Sequence, residues 1–405
     1  MLIKSTSYLV FFNAIIRILG FLTTALLFRI YSIEEIGEYF LLISILSIFS
    51  AIVFMGADKP LIKNNLKKYY KKENQILKSR IMISLICFPI FIFITFELIN
   101  YLSIFSLILL SFTLFFNSFG FDYLLLSKKK ILELSIIQLI SQIGIFTFFL
   151  FCFFYNSKPS IILHQLLSTT LLTLIIIFYI KKTFNFKFIP IFKSKTISMN
   201  YFKTNSIIII SILFVTFISS IDFIIAKKIF NNYEFGIMAS LIKYSLLSYG
   251  FLIIINKTLF SYSISSNHSN EFIESSKKVS LIYNMVSSII LLILIYPYLR
   301  IIMNLDDVNF IILPAILITL CSVLMPNFFL KINYIESNDR KFSCLSYLIY
   351  TVLFIIFYYL IGVGLFMYFK FENIFLYFSL LFLSKWITLN IVITIIKNKS
   401  KSWKY

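Results

Sequence analysis

Long apolar segments recur along the whole chain and restrict what it can fold into. A helix needs about 20 mostly apolar residues to cross the hydrocarbon core of a bilayer. A soluble fold has no place for many such segments, because it must cover its exterior with polar side chains. The chain is therefore predicted to be an all-α polytopic membrane protein with about twelve transmembrane helices. The predicted spans lie at about 5–30, 38–57, 80–97, 101–126, 131–155, 160–180, 202–226, 235–260, 279–301, 309–332, 342–369 and 373–396.

Basic residues are distributed unevenly between the loops, and this predicts the orientation. The net charge is +20. With the amino terminus inside, the inner segments carry about 26 cations and the outer segments about six. This bias predicts that both termini are cytoplasmic. It also explains the positive charge by orientation and by contact with anionic lipids of the bilayer, so no nucleic-acid partner is expected.

Two short motifs repeat in the same order in the two halves of the chain. The stretch "RIYSIEEIGEY" (29–39) aligns with "KIFNNYEFGIM" (228–238), and "YLLLSKKKILELS" (123–135) aligns with "YIESNDRKFSCLS" (334–346). Each pair joins equivalent spans, which predicts two six-helix lobes built as parallel repeats. The predicted domains are an N-lobe (1–180), a basic cytoplasmic linker (181–200), a C-lobe (201–396) and a basic cytoplasmic tail (397–405).

The motifs of soluble enzymes are missing from the sequence. There is no HExxH zinc motif, no GxGxxG, no phosphate-binding loop and no nucleophile elbow, and the chain has only nine glycines and two histidines. The four cysteines, Cys87, Cys152, Cys321 and Cys344, stand singly in apolar runs and are interpreted as small buried hydrophobes. We therefore expect neither an enzyme nor a resident cofactor or metal.

A few ionisable residues lie inside the predicted spans, where a charge costs about 2.5–3.5 kcal/mol on insertion scales unless it meets a partner or a polar cavity. Arg17 lies about a dozen residues from either end of the first span, near the middle of the bilayer. Lys243 and Lys385 are also deep. Asp222 lies nearer the outer end, where hydration or a local ion pair would relieve its charge. Arg29 stands at the outer end of the first span, where it either steers an anionic substrate or anchors the helix.

The sequence resembles a known family at these places. The stretch "RILGFLTTALLFRIYSIEEIGEYFLLISILSIFSAIVFMGADKPLIKNN" is similar to the opening of bacterial polysaccharide flippases, the Wzx-type transporters of the MOP superfamily. The stretch "SIDFIIAKKIFNNYEFGIMASLIKYSLL" resembles the start of their second lobe. The resemblance covers essentially the whole chain. It implies a V-shaped, two-lobe transporter in the bacterial inner membrane.

The resemblance also implies a substrate and a mechanism. The substrate is a polyprenyl-pyrophosphate-linked oligosaccharide, such as an O-antigen, capsular or exopolysaccharide unit, which moves from the cytoplasmic to the periplasmic leaflet by alternating access. An ion gradient (H⁺ or Na⁺) or the membrane potential would drive it, without ATP. The pathway's polymerase and chain-length regulator are possible partners. In this interpretation Arg17, Lys243, Lys385 and Arg29 form a cationic substrate cavity, and Asp222 is a gate, a counter-ion or an ion-coupling site.

Three alternatives remain open from the sequence. A multidrug or small-metabolite exporter of the same superfamily would favour an acidic cavity, whereas the deepest residues here are basic. An integral-membrane polysaccharide polymerase typically has a large extracytoplasmic loop with catalytic arginines, and the predicted outer loops are short. A lipid II flippase is closer, but that group usually has two further spans.

Overall fold

The computed structural model describes residues 2–54, 70–99, 103–128, 130–184, 199–247, 270–337, 358, 362 and 373–402. Helices dominate these ranges, which contain no strand. The helices of the first half are α1 (Leu2–Ile30), α2 (Ile33–Phe54), α3 (Tyr70–Leu98), α4 (Ile104–Ser118), α5 (Asp122–Ser127), α6 (Ile131–Phe154) and α7 (Ile162–Phe184). Those of the second half are α8 (Met199–Ile229), α9 (232–247), α10 (Asn270–Pro297), a π-helical turn (Tyr298–Ile302), α11 (Asn309–Ser337) and α12 (Ile374–Ser402).

Eight of the described helical segments are long and apolar enough to cross a membrane. They are Phe11–Ile30, Ile33–Phe54, Gln75–Leu98, Ile104–Leu126, Leu132–Phe154, Ile162–Thr183, Met285–Ile302 and Ile374–Ile395. The predicted spans in 202–226, 235–260 and 309–332 coincide wholly or in part with α8, α9 and α11. The predicted span 342–369 lies outside the described residues, apart from positions 358 and 362.

The described residues fall into two compact units, and the division lies within α8, between Thr216 and Phe217. In the first unit α1 packs against α6, α3 against α2 and α4, and α7 against α4 and α6. In the second unit α11 packs against both α10 and α12. The predicted linker (181–200) is described only up to position 184 and from position 199, so the predicted lobe bounds stay a prediction.

The first repeated motif has the same hydrogen bonding in both halves. At the start of α2, Ser32 N–H donates to Glu35 Oε2 (2.9 Å), and Glu35 N–H donates back to Ser32 Oγ (3.4 Å). At the start of α9, Asn231 N–H donates to Glu234 Oε2 (3.3 Å), and Glu234 N–H donates to Asn231 Oδ1 (2.9 Å). Both are reciprocal capping boxes, which satisfy amide groups that a helix start would leave without partners.

The same correspondence continues on both sides of these caps. Tyr31 N–H donates to Leu27 O (2.9 Å), and its counterpart Phe230 N–H donates to Ala226 O (3.0 Å). The residues that follow the caps, Ile36 and Phe235, are both fully buried. The aligned sequence motifs therefore form the same local structure, as expected for parallel repeats.

Arg80 occupies a position that the sequence did not predict. It stands at the first position of the predicted span 80–97, and its side chain is buried. One guanidinium nitrogen donates to Gly120 O (2.9 Å) and another to Phe54 O (3.3 Å). The guanidinium carbon also lies 5.2 Å from the ring centre of Phe54 and 5.5 Å from that of Tyr123. Arg80 thus places a cation near the carboxyl ends of α2 and α4, where the helix dipoles are negative.

Gly120 lies between α4 and α5, which together occupy the predicted fourth span (101–126). A Cβ atom at this position would lie 2.7 Å from a ring carbon of Phe54 and 3.1 Å from Asn117 O. Any larger residue would therefore push the Phe54 ring away, and the Gly120 carbonyl that accepts from Arg80 would move with it. The break is where the backbone approaches the neighbouring helix.

Gly120→Ala is expected to lower the free energy of unfolding by about 1–3 kcal/mol, because the added methyl group overpacks the contact with Phe54. Gly144→Ala is the matched control, since its Cβ would lie 3.5 Å from Leu171, an ordinary contact. Alanine there should be neutral or stabilising by up to about 1 kcal/mol, through helix propensity. Thermal unfolding of the detergent-solubilised chain measures both. Equal melting temperatures for the two variants would contradict the close approach at Gly120.

Candidate functional site

Two of the sequence-predicted site residues meet in the second unit. Lys385 Nζ on α12 lies 2.5 Å from Asp222 Oδ2 on α8, and it also donates a hydrogen bond to Ile218 O (2.9 Å). The side chain of Lys385 is 0% exposed and that of Asp222 is 2% exposed. This is a buried ion pair between residues more than 160 positions apart, not the hydrated group or local pair that the sequence suggested for Asp222.

Aromatic rings complete the surroundings of the ammonium group. Lys385 Nζ lies 4.9 Å from the ring centre of Trp386 and 5.6 Å from that of Phe382. A cation near an aromatic ring is stabilised by the ring quadrupole, more strongly where water is excluded. Together, the carboxylate, the carbonyl and the rings replace the water that Lys385 loses on burial.

Helical spacing brings both charged residues onto the packed faces of their helices. On α8, Ile218, Asp222 and Ala226 are spaced four residues apart and are all buried. On α12 the buried positions 378, 382, 385, 389 and 393 follow the same helical period, with Lys385 in the middle. The charges therefore stand where apolar side chains are expected, and each requires the other as its partner.

Further polar groups lie near the pair. Cys321 on α11 is buried and close enough to interact electrostatically with both charges. Tyr358 interacts electrostatically with Asp222, and its hydroxyl lies 2.6 Å from Ser384 Oγ. Asn390 donates to Leu324 O (2.8 Å), which ties α12 to α11 one turn beyond Lys385. The pair is thus part of the packed interior of the second unit.

Lys243 lies on α9 in the same unit. Its side chain is half-buried, and Nζ lies 5.0 Å from the ring centre of Phe223, the residue that follows Asp222. A lysine ammonium at this distance from an aromatic face keeps its charge stabilised while part of the side chain stays accessible. The structure therefore places Lys243 close to the ion pair along α8, and its role in substrate binding stays a prediction.

The other two predicted cations belong to the first unit. Arg17 is half-buried on α1, and Arg29 is exposed in the last turn of the same helix. Between them Thr23 is fully buried and accepts a hydrogen bond from Gln142 on α6 (3.4 Å). A single cationic cavity formed by Arg17, Arg29, Lys243 and Lys385 stays a prediction.

A polar cluster at the start of α2 and α7 was not foreseen. Lys158 Nζ lies 2.9 Å from Glu35 Oε2, and the Tyr31 hydroxyl donates to Pro159 O (2.6 Å). Tyr39 and His164 form a hydrogen bond through the tyrosine hydroxyl and the ring nitrogen Nδ1. These contacts join residues more than 120 positions apart, so no spacing in the sequence could have revealed them.

Among the described residues, no three His, Cys, Asp or Glu side chains group to hold a metal ion.

Solved structures match almost the whole chain. A MATE in complex with MaL6 aligns with a TM-score of 0.65 and 11% identity over 98% of this chain and 97% of its own. An outward-facing multidrug resistance MATE family transporter of the MOP superfamily aligns at 0.63 and 11% identity, covering 97% and 95%. A mutant of the Vibrio cholerae MATE transporter VcmN aligns at 0.59 and 8%, covering 98% and 96%. The chain has the fold of a MATE transporter.

The MATE fold confirms the predicted all-α polytopic architecture and makes the chain a multi-pass membrane protein. One of these neighbours is a transporter of the MOP superfamily, the superfamily that the sequence resemblance named. No protein-family model and no curated protein sequence matches the chain. At 8–11% identity the likeness establishes the fold, and the substrate must be argued from the residues of this chain.

Removing one member of the buried pair is expected to destabilise the second unit. Asp222→Asn and Lys385→Met should each lower the free energy of unfolding by about 3–5 kcal/mol, because each leaves one buried charge without its counter-ion. The double variant should lose clearly less than the sum, since it leaves no charge behind.

Thermal unfolding of the three variants in detergent measures this coupling, with Lys243→Met as the matched control for loss of a half-buried lysine. Additive losses in the double variant would show that the two side chains stabilise the unit independently.

Proposed function

We propose that the chain is an alternating-access transporter that moves a polyprenyl-pyrophosphate-linked oligosaccharide from the cytoplasmic to the periplasmic leaflet of a bacterial inner membrane. The observation that carries this proposal is the charge balance deep in the spans. Among the sequence-predicted site residues inside the spans, the cations Arg17, Lys243 and Lys385 outnumber the carboxylate Asp222, which is engaged by Lys385. The balance favours an anionic substrate over a cationic one.

A pyrophosphate headgroup would explain why cations lie inside the predicted spans. It carries at least two negative charges, which must cross a layer that strongly disfavours charge. Arg17 can offer forked hydrogen bonds to phosphate oxygens, and Lys243 can offer a point charge. We assign the headgroup to Arg17 and Lys243, because guanidinium and ammonium groups bind phosphate oxygens, and we assign its exit to Arg29 in the last turn of α1.

The MATE fold supports the mechanism. Transporters with parallel repeats work by presenting a site between the repeats alternately to each side of the membrane. A lipid-linked substrate suits this scheme, since the sugars and the pyrophosphate pass through the protein while the polyprenyl chain stays in the lipid. Moderate binding by two separate cations allows the headgroup to be released after each passage.

A multidrug exporter is the second candidate, and one comparison favours it: an outward-facing structural neighbour is a multidrug resistance transporter. The two functions differ in the charge of the substrate. A cationic drug would need a carboxylate able to receive it, whereas Asp222 already binds an internal ammonium group. Lys385→Met would release that acid and should increase transport of a cationic dye if the exporter function is correct.

Replacing the deep cations should weaken transport of the anionic substrate. Arg17→Gln and Lys243→Gln are each expected to lower the rate by about 10- to 100-fold, because each removes charge-assisted hydrogen bonds worth about 1.5–3 kcal/mol. The assay uses the full chain in liposomes and follows a polyprenyl-pyrophosphate-linked disaccharide. Lys182→Gln, an exposed lysine in the last turn of α7, is the control. Normal transport by both deep variants would refute the cationic site.

In cells, deletion of the gene should trap complete lipid-linked oligosaccharide units on the cytoplasmic face and abolish the surface polymer. The distribution of the units between the two leaflets measures this directly. Single units that reach the surface without polymerisation would instead indicate a polymerase, and an unchanged glycan with raised drug sensitivity would indicate an exporter.

A further inference from the structure

Two glutamines lie deep in α6, a helix that is long and apolar enough to cross a membrane. Gln142 stands at the middle of the helix, and Gln138 stands one turn before it. A primary amide inside the hydrocarbon region costs free energy unless its N–H groups and its oxygen form hydrogen bonds. The surroundings of the two amides therefore indicate what they bind.

Both glutamines lie on the packed face of α6. The exposed face of the helix is marked by a row of isoleucines, Ile136, Ile140 and Ile143. Gln138 and Gln142 stand on the other side, one turn from the buried residues Leu134 and Ile145 respectively. Each glutamine is nevertheless only half-buried. Space therefore reaches both amides on the packed side of the helix, away from the exposed isoleucines.

The packed face of α6 meets α1 at these amides. Gln142 Nε2 donates to Thr23 Oγ1 at 3.4 Å, which is a long hydrogen bond. It is the one hydrogen bond that either glutamine side chain forms with the part of the chain that the structure describes. A Cβ atom at Gly20 would lie 3.8 Å from the same nitrogen, so Gly20 brings no side chain that covers the amide. Capacity for several further hydrogen bonds remains at this place.

Arg17 lies on the same face of α1 as Gly20. The two residues are three positions apart, about 4.5 Å along the helix axis, and both are half-buried. The exposed face of α1 carries Ile18 and Leu22 instead. Because Gly20 adjoins Gln142, the cation assigned to the pyrophosphate stands about one helical turn from an amide that is open to a ligand.

Amide side chains at this distance suit the sugar that is bonded directly to the pyrophosphate. Each sugar hydroxyl donates and accepts hydrogen bonds, and a glutamine amide offers two donors and an acceptor. Residues four apart on a helix have Cβ atoms about 5–6 Å apart, so the two amides can reach neighbouring hydroxyls of one ring. The amides carry no charge, and they therefore recognise the sugar without binding the pyrophosphate more tightly.

We propose that Gln138 and Gln142 form the sugar-recognition part of the headgroup site, where they bind hydroxyl groups of the sugar bonded to the pyrophosphate at Arg17. This proposal rests on the proposed function and extends it, because it assigns selectivity for the sugar to two uncharged residues of α6. A site that hydrogen-bonds a substrate hydroxyl rejects an analogue that lacks it, since its own polar groups are then left without partners.

The test compares the binding of two probes to the full chain in lipid nanodiscs. One is the polyprenyl-pyrophosphate-linked disaccharide, and the other is the same polyprenyl pyrophosphate with a methyl group in place of the sugars, which keeps the charge equal. The wild type is expected to bind the disaccharide probe at least about tenfold more tightly. Equal dissociation constants would overturn the proposal, and this comparison requires no substituted chain.

Two variants then locate the selectivity. Gln138→Met and Gln142→Met keep the length of the side chain and remove its amide, so each should weaken binding of the disaccharide probe about 3- to 10-fold. Binding of the methyl-capped probe should stay within about twofold. Gln165→Met, at a half-buried glutamine of α7, is the matched control and should change neither constant. Equal losses for both probes in the α6 variants would mean that these glutamines only join helices, which contradicts the proposal.

The same measurements separate this proposal from the function on which it rests. Two probes that bind the wild type equally, and that Arg17→Gln weakens equally, would refute the sugar site and leave the anionic headgroup site intact. A wild type that binds neither probe but binds the cationic dye ethidium would refute the flippase, and the sugar site with it.

Discussion

The cost of an uncompensated charge in the interior of a membrane protein is the constraint on which the second unit depends. Asp222 and Lys385 each occupy a position on a packed helix face that an apolar residue would normally fill. Either charge alone would strongly destabilise the folded unit. Together they join α8 to α12 through one ion pair and one hydrogen bond to a carbonyl. Arg80 follows the same rule in the first unit, where two carbonyl groups near helix ends and two aromatic rings take the place of water.

The two repeats differ at the position of this pair. The alignment that superposes their capping boxes places Thr23 of α1 opposite Asp222 of α8. Both residues are buried and both bond to a later helix of their own unit, Thr23 through Gln142 on α6 and Asp222 through Lys385 on α12. The same helical position thus carries a neutral hydrogen bond in one unit and an ion pair in the other.

The pair also connects the fold to the proposed substrate. A transporter for a headgroup with at least two negative charges needs positive charge at depth, yet it must not bind so strongly that release becomes slow. In the proposed function the headgroup is assigned to Arg17 and Lys243, while Lys385 is engaged by Asp222 and stabilises the second unit.

Hydropathy along the chain was enough to predict an all-helical membrane protein, because this property depends on nearby residues. The local pattern also indicated the turns at Ser32 and Asn231, whose caps lie within four residues. Only the tertiary structure decided that Asp222 meets Lys385, that Arg80 is buried and that Tyr39 binds His164. Each of these contacts joins distant helices, and which faces of two helices meet is set by the packing of the whole unit.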